Sequence, residues 1–135
     1  MMISNEILSL KTKAREALYD ITDLLQDFVK KSGIKIGQLT VFIPHTTAAV
    51  TVNENTDPDV ARDMVMSLQN NLPDDPAFRH LEGNSHAHVK ASVIGPSLTV
   101  LIDAHRLKLG TWQGVFFCEF DGPRHRKIFV QIIGN

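Results

Sequence analysis

The chain has 135 residues, 43% hydrophobic and 21% charged, with a formal net charge of −1. That length and composition fit one globular domain with a single core, and the near-neutral balance offers no basic field for nucleic acid. No apolar run approaches the ~20 residues of a membrane helix, and the opening MMISNEILSLKTK lacks a signal peptide's apolar stretch, so the expectation is a cytoplasmic protein without nucleic-acid or membrane partners.

Residues 3–10 can form a strand. Ala14, Ala17, Leu18, Ile21, Leu24, Leu25, Phe28 and Val29 then follow a helical stripe ending at Gly33. Asp20 and Thr22 are good caps, so the helix can instead start there, near 21–31, with the segment before it pairing as a strand. Lys35 to Ile43 is rich in β-branched residues and closed by Pro44; Ala48 to Val52 reads as the next strand, with His45, Thr46 and Thr47 in the bend between them. The run Thr56, Asp57, Pro58, Asp59 announces a helix with Thr56 as the cap and Val60, Met64 and Leu68 as its apolar stripe. A proline-containing loop, Leu72 to Arg79, leads into HLEGNSHAHVKAS.

That segment is ambiguous. Ala87, Val89, Ala91 and Val93 alternate as in a strand, which would put His86 and His88 on one side. Ser85 can also cap a helix from His86 to Ile94, on which the two imidazoles diverge by roughly 200°. Three strand candidates follow: Leu98 to Ile102, Gln113 to Phe120 and His125 to Ile133, the last two separated by the turn residues Asp121, Gly122 and Pro123. The whole reads as a single α+β domain over 1–135, a mainly antiparallel mixed β-sheet packed with two or three helices.

Polar residues crowd into four places: 45–47, 53–57 (Asn53, Glu54, Asp57), 80–90, and Gly110 to Gln113 with Arg124 to Lys127. Polar groups are costly to bury without partners, so this density suggests a site. His45, His86 and His88 can hold Zn²⁺ or another divalent metal, with Glu82, Glu54 or Asp57 as ligand, support or base. Equally, imidazoles with Lys90, Arg124 and a helix N-terminus can bind a phosphate without metal. The candidate catalytic groups are His86, His88 and Glu82; the candidate ligand contacts are Asn53, Glu54, Asn84, Lys90 and Arg124. His80 and His105 read as surface histidines, Trp112 as a core or interface anchor, and Cys118 as a small buried strand residue. No phosphate-cradling glycine loop, G-x-S-x-G or H-E-x-x-H is present.

Taken together, HTTAAVTVNEN, HLEGNSHAHVKAS and LGTWQGVFFCEFDGPR resemble the YjbQ-like proteins, a family of small uncharacterised proteins also labelled secondary thiamine-phosphate synthases. The resemblance spans almost the whole chain. It implies a homotrimer with a polar pocket, in which the family's functional histidine and the residue two before it correspond to His88 and His86, and the HTT histidine to His45. Many members carry aspartate where this chain has His86 and glycine where it has His105. Thiamine-phosphate formation joins a pyrimidine diphosphate to a thiazole phosphate; it calls for Mg²⁺ and cationic groups at the leaving diphosphate, for which Lys90, Arg124 and carboxylates Glu54, Asp57 and Glu82 are available. A metal-assisted hydrolase of a phosphorylated metabolite and a non-enzymatic trimer binding a small anion or metal are the competing readings.

Overall fold

A computed structural model describes residues 1–135. In chain order the elements are β1 (Met2–Lys11), β2 (Ala17–Asp20), α1 (Thr22–Ser32), β3 (Gly37–Phe42), β4 (Ala48–Glu54), α2 (Pro58–Asn71), α3 (Ser85–Ile94), β5 (Ser97–Asp103), β6 (Arg106–Leu107), β7 (Gln113–Glu119) and β8 (His125–Gly134). The expected α+β domain is present, with three helices, but its strands form two sheets and not one. A five-stranded sheet has the order β1-β8-β3-β5-β6, and a three-stranded sheet the order β2-β7-β4. Every pairing is antiparallel, so no mixed sheet exists.

Strand β8 shows the period-2 rule most clearly: Arg126, Ile128, Val130 and Ile132 are buried while the residues between them are exposed. Its inner face joins Leu39 and Val41 of β3, Val50 of β4, Val115 and Phe117 of β7, and Leu25, Phe28 and Val29 of α1 in one core between the sheets. Helix α1 ends where Gly33 takes a left-handed φ of 72°, a conformation glycine adopts without steric cost. Before it, β2 forms at 17–20, so the later helix start is the one realised; Asp20 Oδ1 accepts from the Thr22 N–H at 2.9 Å.

The second helical layer covers the other side of the small sheet. Ala87 and Ala91 of α3 pack with Ala49, Cys118 and Phe120, the small alanines letting the helix approach closely. Two cap assignments change. Asp57, not Thr56, caps α2 by accepting from the Asp59 N–H at 2.9 Å, because it is the residue directly before Pro58, where the helix starts. Asn84, not Ser85, occupies the N-cap position of α3. Trp112 is 61% exposed, which excludes the core alternative of its core-or-interface reading. No helix is long and apolar enough to cross a membrane.

Candidate functional site

The loop after β3, the loop before α3 and the turn before β8 meet at one end of the small sheet. They surround a pocket of about 440 Å³ lined by 11 residues, all polar or charged except Pro44. His45 and Thr47 come from the first loop, His80, Glu82 and Asn84 from the second, His88 from the first turn of α3, and Asp121, Arg124 and Arg126 from the turn and β8. His45 and His88 also border an adjoining recess of about 290 Å³.

Behind the pocket lies a buried ion pair. Arg126 Nε donates to Glu119 Oε1 at 2.8 Å, and its Nη2 donates to Glu119 Oε2 and to Thr47 Oγ1, the latter at 2.9 Å. Thr12 Oγ1 donates to Glu119 Oε1 at 2.7 Å. Burial alone would raise the Glu119 pKa, but the hydrogen bonds from Arg126, Thr12 and the Asp121 N–H hold it below the usual value. This network fixes Thr47 and therefore the bend that carries His45.

The orientation of His45 follows from one bond. Its Nε2 accepts the Lys127 N–H at 2.9 Å, so the neutral ring keeps its proton on Nδ1. Burial, with the neighbouring Arg126 charge, lowers its pKa below 6.5. His45 is therefore a neutral hydrogen-bond donor in the pocket wall. On the opposite side, His80 and His88 stand edge to face, ring centroids 5.5 Å apart, and His80 Nε2 lies 4.0 Å from Glu82 Oε1.

Asp121 forms the hub of the remaining wall. Its Oδ2 accepts from Asn84 Nδ2 at 2.8 Å and from Arg124 Nη2 at 3.0 Å, while Arg124 Nε reaches the Asp121 carbonyl at 2.8 Å. Burial pushes the Asp121 pKa up, but these bonds and the charges of Arg124 and Arg15 outweigh it and hold it down. Asn84 Nδ2 also lies 3.3 Å from Glu82 Oε2, which fixes the amide with its Oδ1 turned to the protein; that buried oxygen has no partner.

Of the sequence candidates, His45, Glu82, Asn84, His88 and Arg124 therefore converge. His86, Lys90, Asn53 and Glu54 do not. On helix α3 the side chains at 86 and 88 diverge, and His86 Nδ1 instead faces Lys90 Nζ at 3.2 Å. Lys90 is fully buried and donates to Glu16 Oε1 at 2.5 Å, so its ammonium is committed away from the pocket. Asn53 and Glu54 lie at the far end of β4. Glu54 borders a separate cleft of about 670 Å³ between α2 and β2, together with Glu16, Asp20 and Asp57.

A metal fits poorly. No group of three or more His, Cys, Asp or Glu side chains converges, the Nε2 lone pair of His45 is taken, and His86 points elsewhere. The carboxylates considered for Mg²⁺ are split between two cavities, Glu82 in one and Glu54 with Asp57 in the other. Sequence reading gave no site role to Thr47 and Arg126, which lay only within its polar groups, to His80, read as a surface histidine, or to Asp121, read as a turn residue. For Arg126 a signal existed: it shares the inward register of Ile128, Val130 and Ile132.

Comparison with known proteins follows the same outline. The family described as "UPF0047 protein YjbQ-like" matches residues 6–135. A UPF0047 protein of Methanocaldococcus jannaschii is 48% identical over 93% of this chain and 91% of its own length. The UPF0047 protein YugU of Bacillus subtilis is 44% identical over 94% and 97%. Among solved structures, an uncharacterised conserved YjbQ/UPF0047 protein of Clostridium acetobutylicum superposes with a TM-score of 0.92 at 52% identity, covering 95% of this chain and 99% of that one. A protein of unknown function from Sulfolobus solfataricus gives 0.94 at 32% identity, with 99% of each chain covered.

Proposed function

The chain belongs to the YjbQ-like UPF0047 family, and from that premise we propose that its polar pocket binds the phosphate of a small phosphorylated metabolite, with His88 donating or accepting a proton beside it. What carries this reading is the convergence of three histidines and Arg124 from three separate segments on a cavity whose lining is polar or charged except for Pro44. Guanidinium groups and imidazole N–H donors are the side chains that hold oxyanions. His45, fixed as a donor by Lys127, adds a preorganised contact.

The reaction carried over from the family's synthase label loses diphosphate. In this pocket Arg124 and His88 are the groups able to stabilise that departing charge, whereas Lys90 is occupied by Glu16. Because the carboxylates do not gather, no step is routed through Mg²⁺ or Zn²⁺. The reading also includes a homotrimer. Support comes from the outer face of the large sheet, where Ile3, Ile7, Phe42, Leu101, Phe129 and Ile133 are all exposed, an apolar surface of the kind that marks association.

Calorimetric titration of inorganic phosphate into wild type and His88→Ala tests the proposal. Binding that is lost in a still-folded variant is expected; equal binding in both would overturn the assignment. Assay of thiamine-phosphate formation then separates an enzyme from a protein that only binds the anion.

A further inference from the structure

We propose that Arg15, whose guanidinium lies 4.0 Å from the pocket-lining Asp121, forms with Arg124 a second anion subsite beside the polar pocket, so that its ligand carries two anionic groups. This rests on the phosphate-binding reading above and adds to it a residue on a segment that no motif singled out.

The connection between β1 and β2 is held firmly. The Thr12 N–H donates to the Arg124 carbonyl at 2.9 Å, and the Gly122 N–H donates to the Arg15 carbonyl at 2.9 Å. Tyr19 Oη accepts the Lys13 and Ala14 N–H groups at 2.9 and 3.2 Å, and Arg124 N donates to Thr12 Oγ1 at 2.8 Å. Residue 15 is thus docked by its backbone against the turn that carries Asp121 and Arg124.

Its side chain brings a surplus charge to that place. Asp121 faces a guanidinium on each oxygen: Arg124 Nη2 at 3.0 Å from Oδ2, and Arg15 Nη2 at 4.0 Å from Oδ1. One carboxylate cannot neutralise both. Arg124 spends Nε and Nη2 on Asp121, but Arg15 is beyond hydrogen-bond distance and its side chain is 66% exposed. The next acid along the chain, Glu16, offers no compensation, because its oxygens are taken by Lys90 and by Gln69 Nε2 at 2.5 and 2.6 Å. Arg15 therefore presents its planar fork of donors free, beside a pocket wall already built to hold one oxyanion.

The matching ligand is a diphosphate, or a phosphate monoester bearing a second anionic group such as a carboxylate. Orthophosphate, pyrophosphate and phosphoglycolate would be titrated at fixed ionic strength into wild type, Arg15→Ala and Lys108→Ala, the last removing an equally exposed cation on β6's flank. Expected is that pyrophosphate or phosphoglycolate binds wild type about tenfold tighter than orthophosphate, and that Arg15→Ala removes that gain while leaving orthophosphate within about twofold. Lys108→Ala should retain it. Which of the two ligands gains sets the spacing of the anionic groups. If orthophosphate binds but neither larger ligand gains, or if Arg15→Ala weakens all three equally, or Lys108→Ala loses the gain as Arg15→Ala does, the second subsite is wrong and the phosphate reading stands. If orthophosphate does not bind wild type, both fall together.

Discussion

Arg126 and Glu119 face each other as a doubly hydrogen-bonded ion pair sealed inside the protein, directly behind the bend that carries His45. Two charges removed from water stabilise a fold only while both are present. Glu119→Gln should therefore cost about 3–5 kcal/mol in denaturant unfolding, by stranding the guanidinium. The double variant Glu119→Leu with Arg126→Met should cost clearly less than Glu119→Gln; an equal or larger loss would mean the pair contributes net stability.

Acid should destabilise the protein in two stages. The folded pKa of His45 lies below 6.5, so between that value and 6.5 the unfolded chain binds more protons and stability rises with pH. The His45 contribution is complete above about 6.5 and is lost as pH falls toward the folded value. Glu119 and Asp121, both lowered from 4.5 and 3.8 respectively, contribute above those values and lose their share at lower pH. Thermal melts across pH should show His45→Gln flattening the upper stage and leaving the lower one. An unchanged upper slope would contradict this assignment.

Gly122→Ala tests the docking of the β1–β2 connection. A Cβ there would run into the Ala14 carbonyl oxygen, forcing the segment away from the Asp121 turn. A loss of about 1–3 kcal/mol is expected, accompanied by weaker phosphate binding. Full retention of both would show that the segment can move without consequence.

Lys90 lies outside the pocket lining, its ammonium held by Glu16. Lys90→Met leaves Glu16 near-buried with only Gln69, at a cost of about 3 kcal/mol, yet phosphate affinity of the folded variant should stay within about twofold. A large affinity loss with an intact fold would return Lys90 to the ligand-contact role that its position in the sequence suggests.

Sedimentation equilibrium should give three times the 15.1 kDa chain mass. Phe129→Glu and Ile7→Glu, both on the exposed sheet face, should shift it to the single chain mass, while a wild-type monomer would remove the trimer.

Much of the fold was legible because its signals are local. The alternation of β8, the stripe and glycine stop of α1, and the proline-led start of α2 each lie within one segment. The 85–94 segment stayed ambiguous because alanine and valine alternate in it with polar residues, satisfying a strand pattern, and only contact with Ala49 and Cys118 selects the helix. The site divides the same way. His45, His88 and Arg124 stand near turns where polar density is visible. His80 reaches His88 only through the fold of its loop, and Arg126 required asking which face of β8 was inward. His86 and Lys90 drew attention by adjacency to His88, but each stands two residues from it along the helix, roughly 200° around the axis, so neither shares its face.

The order β1-β8-β3 has a kinetic consequence. Strand β8 supplies the register for both neighbours, and Met2 is opposite Gly134 while Gly37 meets the same residue from the other side. Apart from the short β5–β6 hairpin, the large sheet therefore pairs no strands that are neighbours in sequence. Its central ladder must close loops spanning most of the chain before any burial repays the lost entropy, which places folding in the millisecond-to-second range, on the order of other high-contact-order β proteins; the small sheet, whose β2 and β4 both pair with the distant β7, bears the same kind of cost.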